Sequence, residues 1–211
     1  MGRWRMKVGV ICEGRLGGED AQVFEYLALR IQPGAVVKTF PQGNKPELIE
    51  KAGAVAANLF ATGYMRVLIL WDVMPRWGRP DGEQQDVEDL QSSLAAAGVA
   101  AHPCLFLIAI HKELEAWLLA DGSALSAILS TPAHPVSIPN TKNADTVGNP
   151  KKRIEKLFAQ HNVPFGPQPV QGSYVPKLAA LRIAEKIPNK FGQLGKIDSF
   201  RKFGHALTVD C

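Results

Sequence analysis

With 211 residues, 46% of them hydrophobic and 21% charged, the chain is long enough to bury a substantial core and falls in the size range of one domain, alone or with a small helical annex. No apolar run approaches the roughly 20 residues needed to cross a bilayer, and the run after Arg3, Arg5 and Lys7 is too short for a signal peptide and ends in Glu13; the expectation is a cytoplasmic protein with no membrane partner. The net charge of +4 hides a split, since residues 1–148 hold 13 Lys and Arg against 16 Asp and Glu, a net of −3, and residues 149–211 hold 11 against 4, a net of +7.

Along the chain, Lys7 to Cys12 reads as a buried strand running into the turn Glu13-Gly14-Arg15, with Gly17 and Gly18 just beyond. Val23, Phe24, Leu27 and Ile31 recur at helical spacing behind Glu19 and Asp20, which suit the positive end of a helix dipole. A second strand is expected at Ala35 to Phe40, and Pro46 opens a helix that Gly63 ends. Val67 to Trp71 is five large apolar residues in a row, the mark of a strand buried on both faces, with Asp72 at its end. Pro75, Gly78, Pro80 and Gly82 make the next stretch irregular; a helix through Val87, Leu90 and Leu94 then stops at Gly98, and Val99 to Ile110 is expected as the fourth strand.

Lys112 to Leu119 places Leu114, Trp117 and Leu118 on one helical face, and a short apolar helix follows to Leu129. Residues 131–148 lack periodicity and read as a long loop, a candidate lid. Helices are expected over Pro150 to Gln160, Tyr174 to Lys186 and Ile197 to Leu207. The alternation predicts an α/β fold: an open, mainly parallel four-stranded sheet flanked by helices over residues 1–130, a loop over 131–148, and a basic helical annex over 149–211 packed on the core. Cys12, Cys104 and Cys211 are odd in number and far apart, fitting neither a disulfide framework nor zinc spacing. They read as reduced thiols, Cys12 and Cys104 as core residues.

Ligands of an open parallel sheet bind outside the carboxyl ends of its strands, which is where Glu13, Asp72, Glu113 and Glu115 are expected. Neighbouring carboxylates repel and need a compensating charge. Mg²⁺ is one solution, held by one or two carboxylates together with phosphate oxygens; a buried Arg15 or Lys151, making a structural ion-pair network, is the other. Lys151, Lys152 and Arg153 open a helix where backbone N–H groups favour phosphate, and Tyr174 and Lys177 open the next. His111 adjoins the acids as a ligand, a base or a structural residue. Trp71 and Trp77 flank Asp72 and either pack in the core or stack bases of a single strand.

The order Val10-Ile11-Cys12-Glu13-Gly14 followed by a strand ending in Asp72 resembles the Toprim fold of topoisomerases, primases and OLD-family nucleases. Glu113-Leu114-Glu115-Ala116-Trp117-Leu118-Leu119-Ala120-Asp121, Asn149-Pro150-Lys151, Tyr174 with Lys177, and Ser199-Phe200 resemble, more narrowly, the bacterial domain-of-unknown-function family 4276, grouped with Toprim-like proteins. The resemblance implies Mg²⁺ (or Mn²⁺) on Glu13 and Asp72, nuclease-like chemistry and a link to phage defence; the expected placement of acids at one edge beside a basic annex adds Glu115 as a metal ligand, Glu113 with these three as catalytic, and Arg15, Lys151, Tyr174 and Lys177 as substrate contacts. One departure stands out: Met74 occupies the place of the second acid in the Toprim Asp-x-Asp, and a thioether is a poor magnesium ligand. Three readings follow: one ion on Glu13, Asp72 and Glu115, a substitute acid from Asp81 or Asp86, or lost catalysis. Two functions are therefore carried forward, a Mg²⁺-dependent nuclease or phosphotransferase acting on nucleic acid, and an inactive module that binds an ATPase partner or nucleic acid. Oligomeric state is left open.

Overall fold

Four strands, β1 (Lys7–Cys12), β2 (Val36–Pro41), β3 (Arg66–Asp72) and β4 (Leu105–Ile110), pair in the order β2-β1-β3-β4, every pair parallel. The computed structural model describes residues 5–161 and 176–211, and the chain divides into two compact units, Met1–Ile110 with Lys202–Cys211, and His111–Arg201. The expected α/β class and open four-stranded sheet are thus present, with the sheet in the first unit. Among the described residues no helix is long and apolar enough to cross a membrane.

The strand order decides where the helices go. From β1 the chain steps outward through α1 (Glu19–Ile31) to β2, then returns past β1 through α2 (Lys45–Ala61) to β3 and onward through α3 (Glu83–Ala96) to β4. Right-handed crossovers leaving in opposite directions put α1 on one face of the sheet and α2 with α3 on the other. The strand pleat supplies both faces: Ile11, Val67, Ile69 and Trp71 share a buried cluster with Leu48, Leu59 and Leu90 of α2 and α3. On α1, Val23, Phe24 and Leu27 are buried. The helices α2 and α3 meet closely at Gly53, where a Cβ would fall 2.0 Å from the Ser93 carbonyl oxygen, and the Gly53 N–H donates to Ser93 Oγ at 3.1 Å.

Two expectations are corrected in this unit. The fourth strand starts at Leu105, not Val99, because the chain turns through His102 N–H to Val99 O (3.0 Å) and Leu105 N–H to His102 O (3.1 Å), and Pro103 has no N–H to give a ladder. The cysteines are not all reduced: Cys104 and Cys211 form a disulfide across 107 residues of sequence, and Cys12 is free and buried. The bond draws the C-terminal segment over Arg66 at the start of β3. The Arg66 guanidinium donates through Nη2 to the Val209 carbonyl and lies 5.8 Å above the Phe106 ring, with Nε and Nη1 buried and unpartnered.

The second unit is helical: α4 (Glu115–Ala120), α5 (Gly122–Leu129), α6 (Pro150–His161), α7 (Pro176–Lys186) and the start of α8 (Asp198–Thr208), whose residues from Lys202 belong to the first unit. Every residue of α4 is buried, and its Trp117 donates Nε1–H to Ser199 Oγ at 2.9 Å and sits edge-on to Phe200. Residues 131–148 are fastened to α4 and α5, through Ile138 N–H to Ser126 Oγ (2.8 Å), Gly122 N–H to Asn140 Oδ1 (2.9 Å) and Thr141 N–H to Ala120 O (3.3 Å).

Candidate functional site

The sheet order creates a switch point, because the connection from β1 leaves toward β2 on one side while β3 lies on the other, and the crevice at the carboxyl ends of β1 and β3 is where such sheets take ligands. Glu13 follows β1 and Asp72 closes β3, so the first unit brings two of the four sequence-picked acids to this crevice. They touch directly: the Asp72 N–H donates to Glu13 Oε1 at 2.9 Å. The loop holding Glu13 is fixed by a two-way bridge, Gly14 N–H to Gly43 O (2.6 Å) and Gly43 N–H to Gly14 O (2.9 Å). Gly14 has φ 106°, a conformation that glycine adopts without steric cost.

Just beyond Gly43, Asn44 caps α2 by accepting the Glu47 N–H at 3.0 Å, and the backbone of Lys45 also bonds to Glu13. Burial pushes the Glu13 carboxyl up to about 7; the bond from Asp72, the nearby Lys45 charge and the bond from the Lys45 backbone act against burial and do not cancel it. The same acidity is felt by the Cys12 thiol, which is pushed far above its ordinary range by burial first and then by Asp20, Glu13 and Asp72. Asp20, which the sequence offered only as a helix-dipole residue, therefore adds to a negative potential at the end of β1.

A cation is already built in beside these acids. Lys45 is fully buried, and its Nζ donates to Val73 O at 2.8 Å and to Asp86 Oδ2 at 3.2 Å. Asp86, also fully buried, accepts Arg79 Nε at 2.5 Å on its other oxygen, and Arg79 reaches on to Asp89. Asp86 thus has both oxygens engaged by cations, which removes it as the substitute acid for Met74. Asp81 is exposed. Sequence reasoning looked to Arg15 or Lys151 as the compensating charge and missed Lys45. A lysine in the first turn of a helix opposes the macrodipole, and that misfit was the available signal.

Comparison with protein-family models, with curated proteins and with solved structures gave no match. The roles of the site residues therefore rest on their geometry.

The other sequence-picked residues belong to the second unit or to the rim of the first. Glu113 accepts the Lys151 N–H at 2.9 Å and Asn149 Oδ1 accepts the Lys152 N–H at 2.8 Å, so the first turn of α6 is capped by side chains of its own unit. Glu115 is buried in α4. The helix expected from Lys112 begins at Glu115, Lys112 itself having φ 74°. Arg15 is exposed on the loop after β1. Tyr174 lies outside the described residues, and Lys177 falls in the first turn of α7 with its side chain outside them. Trp71 is buried in the sheet, whereas Trp77 is exposed.

Among the described residues, no group of three or more His, Cys, Asp and Glu is arranged to hold a metal ion. The donor chemistry of the crevice nonetheless fits Mg²⁺. Glu13 and Asp72 offer hard carboxylate oxygens, and this ion is commonly held by one or two carboxylates, with waters and substrate phosphate completing the shell.

Proposed function

We propose that the chain is a Toprim-like, Mg²⁺-dependent nuclease or related phosphotransferase acting on nucleic acid, with Glu13 and Asp72 holding the ion. The observation that carries this reading is the meeting of Glu13 with Asp72 at the switch point of the sheet. When bound there, the ion supplies neutralisation of phosphate charge and an acidified water. The protein's own contribution is orientation. Asp72 fixes the Glu13 carboxyl through its N–H, and the Gly14–Gly43 bridge fixes the loop that carries it. In the metal-free fold burial holds the Glu13 carboxyl near 7, so a cation that binds there displaces its proton. The same burial makes a cation favourable beside the carboxyl.

Purified protein should cleave DNA or RNA in Mg²⁺ or Mn²⁺, and Glu13→Ala and Asp72→Ala should each lower the rate by at least about a hundredfold, the scale of losing a positioned acid–base or charge-stabilising group. Cleavage that survives Glu13→Ala rejects the assignment.

Lys45 favours a second reading. A buried ammonium close to Glu13 and bonded to Asp86 can serve as the compensating charge by itself, which makes the acids a structural network and the chain an inactive Toprim-like module that binds an ATPase partner or nucleic acid. That version expects no Mg²⁺ or Mn²⁺ binding, and a partner that co-purifies.

A further inference from the structure

We propose that Trp77, with Leu16 and Met74, forms a stacking platform for an unpaired base, so that the crevice takes single-stranded rather than duplex nucleic acid. The inference deepens the proposed function and rests on it for the class of polymer. Its own support is a pattern of exposure. Leu16 is 90% exposed, Trp77 51% and Met74 38%, and all three stand on the two loops that leave the carboxyl ends of β1 and β3. These strands are neighbours, and their ends carry Glu13 and Asp72. Leaving half an indole and most of a leucine in water forgoes burial that would otherwise stabilise the fold. Here that surface stands on the two loops that begin at Glu13 and just after Asp72.

The loop presenting Trp77 is bonded from within. Arg79 N–H donates to Arg76 O at 2.9 Å, Arg76 Nη1 to Pro80 O at 3.2 Å, and the Arg79 side chain is clamped by Asp86 and Asp89. The indole is therefore offered on a braced support, which lowers the ordering cost of stacking. Arg15 and Arg76, both exposed on the same two loops, supply the cationic flank that a phosphate backbone requires. An aromatic face flanked by cations suits any base whose own face is free. In a duplex those faces are covered by neighbouring pairs, so the platform has nothing to stack on unless the helix is opened.

The test is fluorescence anisotropy with a labelled oligothymidylate and with a duplex of equal length, Ca²⁺ replacing Mg²⁺ so that binding is read without turnover. The wild type should prefer the single strand by about tenfold or more, Trp77→Ala should weaken single-strand binding by about tenfold, and Trp77→Phe should keep most of it. Arg76→Ala should weaken binding and make its salt dependence shallower by about one counterion. Circular dichroism of Trp77→Ala checks that the fold is intact. Equal affinity for duplex, or a Trp77→Ala variant that binds like wild type, overturns the platform, as does loss in the arginine variant alone, which marks simple polyanion adhesion. A protein that cleaves but fails these binding tests loses the platform and keeps the nuclease reading. A protein that binds through Trp77 and never cleaves keeps the platform and loses the nuclease.

Discussion

Glu13 shows how one side chain ties burial to pH. Its carboxyl ionises near 4.5 in an unfolded chain and near 7 in the fold, so between these values the native state holds more proton than the unfolded state. Stability must therefore fall as pH rises through that window. The expected loss is roughly 2–3 kcal/mol by about pH 7, with little further change above it. Glu13→Gln, which stays neutral and keeps an acceptor for the Asp72 N–H, should abolish the slope; urea titrations at pH 5 and pH 8 read the difference. A variant with the wild-type slope would mean that another group sets it. Glu13 and Asp72 were legible as sequence because each follows an apolar strand. Lys45 and Asp86 were not, because a buried ion pair separated by 41 residues leaves no periodic mark, and Asp86 reads as one more acid on a charged helix.

At the scale of elements, apolar runs and glycine stops located β1, β3, α1 and α2, since burial on two faces and a helical stripe both leave local patterns. Pairing order leaves none. Nothing in Lys7–Cys12 says that β2 and β3 lie on its two sides, yet that order brings Glu13 and Asp72 together at the carboxyl ends of β1 and β3. The local role of an acid in the second unit is hidden for a related reason. A carboxylate that caps a helix 38 residues further on has the same sequence appearance as one that binds metal. Glu113→Ala should uncap α6 and cost about 1 kcal/mol, seen as lower helical ellipticity and earlier exchange of the α6 amides. Full retention of both would show that the Lys151 N–H finds another acceptor at no cost.

For the molecule as a whole, the Cys104–Cys211 bond ties the end of the chain to the start of β4. A closed loop of this length constrains the unfolded chain enough to be worth up to about 4.7 kcal/mol. The same bond holds the tail over Arg66, whose burial depresses its pKa and leaves two donors without partners. Release would return them to water and offset part of the loss. Reduction, or Cys211→Ser, should therefore lower stability by roughly 2–4 kcal/mol without changing the β-sheet signal. A destabilisation near zero would show that the bond carries no weight in the fold. The pairing could not be read from three scattered cysteines, because only the folded path brings residues 104 and 211 within a Cα separation of 5.3 Å.

Whether Glu13 and Asp72 share a cation is decided most directly by calorimetric titration of Mn²⁺ into the wild-type protein, Glu13→Gln and Asp72→Asn at pH 8. One saturable site in the wild type, weakened at least about tenfold in each variant, is the expected result. No saturable heat in the wild type, or a site unchanged by both substitutions, would contradict the metal centre and leave Lys45 as the charge that these acids were built around.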